Sequence, residues 1–349
     1  MGIKDYAKHI ELQVPEVKER KYDYLYLDCN YMLHYLIYKC KNDNELYKKL
    51  YSYFEYLFET IVVNKEIYLI FDGEYEIIEL EDKEDKKDKK IEDNPKHQTH
   101  LLRAKYKKES DDYDKQPIYP KSKIIKTFLG FLEDIIVKIK KINKFVFSIQ
   151  INDDKVKGEA DKKILDYIYD KNQDNICILS RDSDMILISH SLIINKGIKI
   201  DVLSSIRPIL FIDVNKLTNI GYDYLLIIFL LGNDYLPKIS NVSYESIIES
   251  YKLYIKYEKE SLIINKKLNH NNFRNFISYI IINNKTKKIK FNYKKLNQQQ
   301  FKIYFNNLQW CLKEYKALDF DVKFISETIN FNLIKIKNVI NIYNFINFV

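Results

Sequence analysis

Leu179-Ser180-Arg181-Asp182-Ser183-Asp184-Met185-Ile186 decides how the chain is read. The apolar run from Ile176 to Leu179 has the length and composition of a short buried parallel strand. It ends in two carboxylates spaced i, i+2. In open α/β sheets, ligands sit just beyond the carboxyl ends of the strands. Two acids there suit a hard divalent cation such as Mg²⁺, which takes oxygen ligands and keeps several of its waters. Taken alone, the pair has an ordinary reading too, with Asp182 capping the next helix and Asp184 solvated.

The same junction recurs upstream. An alternating, aromatic-rich strand from Tyr22 to Leu27 ends at Asp28, and helical patterns follow from about Tyr31 to Cys40 and from Asn44 to Val62. A second strand, Glu66 to Phe71, ends at Asp72-Gly73 and completes a βαβ unit. Further on come a helix from Lys121 to about Lys141, a strand from Phe145 to Ile151, and Lys157-Gly158-Glu159-Ala160-Asp161 opening an amphipathic helix through Tyr169. A helix near Met185–His190 and strands near Ile198–Leu203 and Leu210–Ile212 complete the expected sheet. The apolar run Leu225 to Leu231 then stops at Gly232-Asn233-Asp234-Tyr235-Leu236-Pro237. The expected fold is α/β, a mostly parallel twisted sheet flanked by helices, with a mainly helical C-terminal part. Its expected division is a core over 1–240 and a basic extension over 241–349. Within the core, residues 74–95 carry the mixed-charge run Glu81 to Lys90 and read as a mobile insertion.

Composition limits the function classes. With 46% hydrophobic and 14% aromatic residues, the 349-residue chain can fill a substantial core. Ile, Lys, Asn and Tyr, whose codons are A/T-rich, are abundant, so no single lysine carries much functional weight. The net charge of +8 is modest and its distribution matters more. No apolar run reaches membrane-spanning length, and the N-terminus has no secretory apolar region. Cys29, Cys40, Cys177 and Cys311 have no paired spacing, which argues against structural zinc. An intracellular protein, cytoplasmic rather than nuclear, is expected, with no membrane partner.

Seven acids stand at strand ends or helix starts: Asp28, Asp72, Glu159, Asp161, Asp182, Asp184 and Asp234. Converging at one sheet edge without cations, they would repel and raise one another's pKa. Two divalent metals would remove that repulsion and support in-line phosphodiester displacement. On a regular helix Glu159 and Asp161 would point about 200° apart. Both reach one site if Glu159 lies at the helix entry, where the helix dipole also favours acids.

These residues carry a family resemblance. Asp28-Cys29-Asn30-Tyr31-Met32-Leu33-His34 resembles the D-x-N-x-x-x-H start of the Xrn-type 5′→3′ exoribonucleases. Phe71-Asp72-Gly73, Gly158-Glu159-Ala160-Asp161-Lys162-Lys163-Ile164, Asp182-Ser183-Asp184 and Gly232-Asn233-Asp234-Tyr235-Leu236-Pro237 are similar to its next blocks, in order, over about residues 22–240. A weaker echo follows at Leu308-Gln309-Trp310-Cys311-Leu312. The wider superfamily includes the flap endonucleases and shares a PIN-like α/β core with an acidic two-metal site.

The resemblance implies that all seven acids bind Mg²⁺ directly or through water, with Mn²⁺ able to substitute. It implies that His34 stacks on the terminal base, beside Asn30 on a helix starting near Cys29, and that Trp310 either stacks there or packs in the core. It also implies a 5′-monophosphate pocket after the second acid, for which Lys96, Gln98, Arg103 and Lys105 are the candidates. Here the chain departs from the family pattern: paired arginines are replaced by Arg103-Ala104, and the insertion at 74–95 separates the blocks. A lysine point charge does not replace a bidentate guanidinium. The chain also ends at Val349 without the longer C-terminal regions of cellular members, as expected of a minimal, viral version.

The implied activity is Mg²⁺-dependent 5′→3′ exoribonuclease action on single-stranded, 5′-monophosphorylated RNA. The first alternative is a structure-specific 5′ nuclease on DNA flaps. Against it, Leu236 to Asn241 has none of the glycines of a duplex-gripping hairpin. The second is a non-catalytic RNA-binding protein, against which stands the presence of every acid. Between Ser261 and Lys313 there are eleven basic residues and no acid, interleaved with Phe273, Phe276, Tyr279, Phe291, Tyr293, Tyr304 and Trp310. That window reads either as a phosphate- and base-contacting surface or as a lysine-rich surface over aromatic core residues.

Overall fold

The structure, a computed structural model, describes residues 6–9, 12–13, 20–73, 112–116, 118–143, 148–171, 173–180, 182–206, 209–233, 235–236, 238–239, 242–286, 298–319 and 339–340. The insertion expected at 74–95 lies outside them. The described residues form two compact units.

The first unit, within residues 12–214, holds a seven-stranded sheet. Its strands are β1 (Leu12–Gln13), β2 (Arg20–Asp28), β3 (Ile61–Ile70), β4 (Ser148–Asn152), β5 (Ile176–Leu179), β6 (Ile200–Ile206) and β7 (Ile209–Ile212), in the spatial order β1-β7-β6-β5-β2-β3-β4. From β6 across to β4 all neighbours are parallel, while β7 and β1 add an antiparallel edge. The chain moves from β2 outward to β3 and β4, then returns to the other side of β2 for β5 and β6. Strand order therefore reverses between β2 and β5, the place where open α/β sheets bind ligands. Leu27 pairs with Leu179 there, and Asp28 lies level with Ile70 of β3.

The helices are α1 (Cys29–Ile37), α2 (Asp43–Thr60), α3 (Lys123–Asn143), α4 (Ala160–Asp170) and α5 (Ser183–Lys196). One sheet face sends Leu25, Leu27, Ile67, Leu69, Cys177 and Leu179 into a core shared with α1, α2 and α3. On the strands this follows from period-2 alternation, and on α2 from apolar Leu46, Leu50, Phe54 and Leu57 at helical spacing. Helices α4 and α5 pack together. Every residue from Ser183 to Leu192 is buried, so α5 runs well beyond the short helix expected near 185–190.

The second unit contains residues 215–349 with the N-terminal turn Tyr6–His9. Among the described residues none after 214 adds a strand to the seven-stranded sheet. Its elements are α6 (Asn215–Thr218), α7 (Asp223–Phe229), β8 (Lys238–Ile239), α8 (Tyr244–Glu258), the hairpin β9 (Ile263–Ile264) and β10 (Lys267–Leu268), α9 (His270–Thr286), α10 (Gln298–Glu314) and β11 (Val339–Ile340), which pairs with β8. Phe273, Phe276 and Tyr304 are buried here, so these three rings of the basic window are core residues and not a stacking surface. Among the described residues no helix is long and apolar enough to cross a membrane.

Asp223 ties the second unit together. Its buried carboxylate accepts the Tyr251 hydroxyl at 2.7 Å and the amides of Leu262 and Ile263 at 2.8 Å each. Burial raises its pKa, and the three donors act against that rise. Asp223→Ala would orphan three buried donors, and calorimetry is expected to show about 3 kcal/mol or more of lost stability. An unchanged unfolding midpoint would refute this role.

Candidate active site

The acids of the first unit are placed by the ends of strands and the starts of helices. Asp28 is the last residue of β2 and the N-cap of α1, its Oδ1 accepting the Tyr31 amide at 3.0 Å. Asp182 caps α5 through Oδ1 and the Asp184 amide at 3.1 Å. The ordinary reading of Asp182 as a cap is therefore correct. Asp184, however, is not solvated but buried in the first turn of α5. Glu159 is the N-cap residue of α4, in extended conformation at the helix entry, and makes no side-chain cap bond. That cap comes from across the chain: Asp72 Oδ1, just past β3, accepts the Ala160 amide at 2.8 Å. Asp161 lies in the first turn of the same helix.

Three helix N-termini, those of α1, α4 and α5, thus each donate an amide to a different aspartate. The positive end of each helix dipole favours a carboxylate. The aspartates are nonetheless close enough to oppose one another. The Asp28 carboxyl is pushed up to about 8, first by burial and then by the charge of Asp72, with Asp182 and Asp161 adding smaller contributions. A rise of that size corresponds to several kcal/mol, against roughly 1–2 kcal/mol for a cap and its dipole. Desolvation and repulsion outweigh the cap.

Residues without an assigned role in the sequence reading brace these acids. Ser180, fully buried, donates its hydroxyl to Asp28 Oδ2 at 3.4 Å and accepts the Asp182 amide at 3.2 Å. Lys163 Nζ donates to the carbonyl of Phe71 at 2.8 Å, to Asn152 Oδ1 at 3.1 Å and to the carbonyl of Val156. It pins the ends of β3 and β4 and the loop between β4 and α4. Burial lowers its pKa to about 8, while Asp72, Asp153 and Asp154 act to raise it. The signal for Lys163 was a polar residue four after Glu159, on the helix face that turns back toward the cap. Gly73 is required at its place, because a Cβ there would sit 1.5 Å from the Val156 carbonyl oxygen.

Asn30 and His34 share α1 as expected but face different surroundings. His34 is exposed, whereas Asn30 is buried and its Oδ1 accepts the Asp72 amide at 3.0 Å. Asn30 therefore holds the backbone of the second acid. In the second unit Trp310 is half-buried and meets Tyr235 edge to face at 5.1 Å. Asn233 Oδ1 accepts the amides of Tyr235 and Leu236, forming a tight turn. Asp234, Lys96, Gln98, Arg103 and Lys105 lie outside the described residues.

Among the described residues no three His, Cys, Asp or Glu side chains are gathered at the spacing of a formed metal centre. The donor set is nonetheless all carboxylate, and the raised pKa of Asp28 marks a cluster short of positive charge. That chemistry fits a hard divalent ion and not a thiolate-bound one.

The titration of Asp28 gives a sign. Its folded pKa stands above the unfolded value of 3.8, so the stability it contributes is complete below that value and is lost as pH rises toward about 8. In chelator, the midpoint of thermal unfolding is expected to fall between pH 5 and 8, and Asp28→Asn, which keeps the cap, to flatten that fall. A variant as pH-sensitive as the wild type would refute this. Gly73→Ala is expected to cost about 2 kcal/mol or more through the displaced Val156 carbonyl, checked by the same scan.

A family model described as "XRN 5'-3' exonuclease N-terminus" matches residues 1–203. No individually curated protein matches the sequence. Among solved structures, the catalytic core of Rad2 in complex with DNA substrate is 12% identical, with a TM-score of 0.46 over 92% of this chain and 86% of that one. T5 D15 protein co-crystallized with metal ions is 12% identical, with a TM-score of 0.39 over 85% of this chain and 93% of that one. Both likenesses are distant. With the family model covering residues 1–203 of the 349-residue chain, the chain belongs to the XRN 5′–3′ exonuclease N-terminal family, a family of nucleases.

Proposed function

We propose that the chain is a divalent-metal-dependent 5′→3′ exoribonuclease acting on single-stranded, 5′-monophosphorylated RNA. The observation that carries this reading is the convergence of Asp28, Asp72, Asp161 and Asp182 where strand order reverses, felt in the raised pKa of Asp28. Asp28, Asp72, Glu159, Asp161, Asp182 and Asp184, with Asp234, would hold two Mg²⁺ ions, and Mn²⁺ would substitute. When bound, the ions supply a water ionised at neutral pH and offset charge on the leaving oxygen.

The chain's own part is positioning. Asp28, Asp72 and Asp182 each spend Oδ1 on a helix amide, which fixes the carboxylate plane. His34, exposed on α1, would stack on the first base. Lys96, Gln98, Arg103 and Lys105 are assigned the 5′-phosphate on the family resemblance, with weaker binding where a lysine stands for an arginine.

The test is cleavage of matched single strands, RNA with a 5′-monophosphate, triphosphate or hydroxyl and DNA with a 5′-monophosphate, with Mg²⁺ or chelator. Asp182→Asn serves as control, because asparagine caps a helix as well as aspartate does. Mononucleotide release from monophosphorylated RNA is expected, abolished by chelator and lowered at least about 100-fold in the variant. Cleavage indifferent to the 5′ group would remove the phosphate-pocket assignment. Cleavage of flap DNA and not of RNA would replace the substrate class.

A further inference from the structure

We propose that Lys163 is a positioning residue for the divalent ions: it holds the segment carrying Asp72 against the segment carrying Glu159, and so sets the metal affinity of the site without touching substrate. This rests on the nuclease reading above. Lys163 lies one turn into α4, four residues after Glu159, and is buried. An ammonium has three protons and no acceptor. Here all three are committed: to the carbonyl of Phe71 at 2.8 Å, to Asn152 Oδ1 at 3.1 Å and to the carbonyl of Val156. These acceptors are neutral and come from three segments, the ends of β3 and β4 and the loop before α4. A side chain so buried and so committed is neither a phosphate ligand nor a general acid. Burying a charge is costly, and an apolar side chain of equal length would fill the space more cheaply. What the lysine adds is a fixed distance between three pieces of backbone.

The segments it bridges are the ones that carry acids. Gly73 donates its amide to the Gly158 carbonyl at 2.8 Å, and the Ala160 amide reaches Asp72 Oδ1 at 2.8 Å. Phe71 is held as well, its amide bonded to the Asn152 carbonyl at 2.9 Å and its carbonyl to Lys163. Asp72 stands between Phe71 and Gly73, and Glu159 between Gly158 and Ala160. Each acid is therefore bonded on both sides, and the separation of the two backbones is fixed. The joint has no slack: a Cβ on Gly73 would lie 2.9 Å from Lys163 Nζ. Asp72, Asp153 and Asp154 are the charges near enough to act on the ammonium, yet none of its three bonds goes to a carboxylate. Mg²⁺ demands near-ideal octahedral geometry, so an error in the spacing of carboxylates from different segments appears directly as lost affinity.

The experiment titrates the full chain with Mn²⁺ by calorimetry, without RNA and at a temperature where each variant is folded. Lys163→Met, which keeps the length and loses the three bonds, is expected to bind Mn²⁺ about 10- to 100-fold more weakly than the wild type. In cleavage of 5′-monophosphorylated single-stranded RNA, the Mg²⁺ concentration for half-maximal rate is expected to rise by the same factor. At saturating Mg²⁺ the KM for RNA should match the wild type. A loss of stability alone would move neither metal reading in a folded variant. Should Lys163→Met fail to fold, Asn152→Ala, which leaves two of the three bonds, takes its place with an expected loss of about tenfold. Wild-type Mn²⁺ affinity in the folded variant would overturn the positioning role. A raised KM at saturating Mg²⁺ would overturn it too, because Lys163 would then act on substrate. If the wild type binds Mn²⁺ and cleaves RNA while the variant is unshifted, this inference falls alone. If the wild type binds no Mn²⁺, it falls together with the proposed function.

Discussion

The constraint on which the rest of the first unit depends is the burial of the Asp28 carboxylate beside other acids held at one edge of a parallel sheet. Asp28, Asp72 and Asp182 come from three strand ends, and each is secured by one amide at the start of a different helix. These bonds do not neutralise the cluster, as the position of the Asp28 carboxyl at about 8 makes plain. They fix where the charge sits.

That arrangement explains the buried polar residues behind it. Ser180 joins Asp28 to Asp182, Asn30 joins α1 to the backbone of Asp72, and Lys163 ties the strand carrying Asp72 to the loop that leads into Glu159. Each would cost stability if left unsatisfied in the interior. Each is satisfied by a backbone or side-chain group of the site. Gly73 belongs to the same layer, since its missing Cβ admits the Val156 carbonyl that Lys163 engages.

What could be read from the sequence was local. A strand ending in Asp followed by a helical pattern placed Asp28 and Asp182, because their cap chemistry needs only neighbouring residues, whereas Asp72 was placed by its strand alone and caps a helix 88 residues away. The entry position of Glu159 followed from the opposed directions that a regular helix would impose on Glu159 and Asp161. Long-range facts were not legible. Nothing near Asn30 in sequence reveals that its partner is Asp72, and Lys163 has acceptors at Phe71, Asn152 and Val156, drawn from two other strand ends and a loop. The basic window misled in one respect. Phe273, Phe276 and Tyr304 lie among lysines and asparagines in sequence, yet helical packing buries them.

Helix α1 shows why such a small element matters so much. Its cap is one acid, its second residue holds the amide of another, and its inner face fills the core under β2 and β3. In a closely packed interior such a helix moves as a rigid piece or not at all. A displacement of the helix would therefore shift the Asp28 carboxylate and loosen Asn30 from Asp72 together, so the placement of these two acids is mechanically one property of this helix.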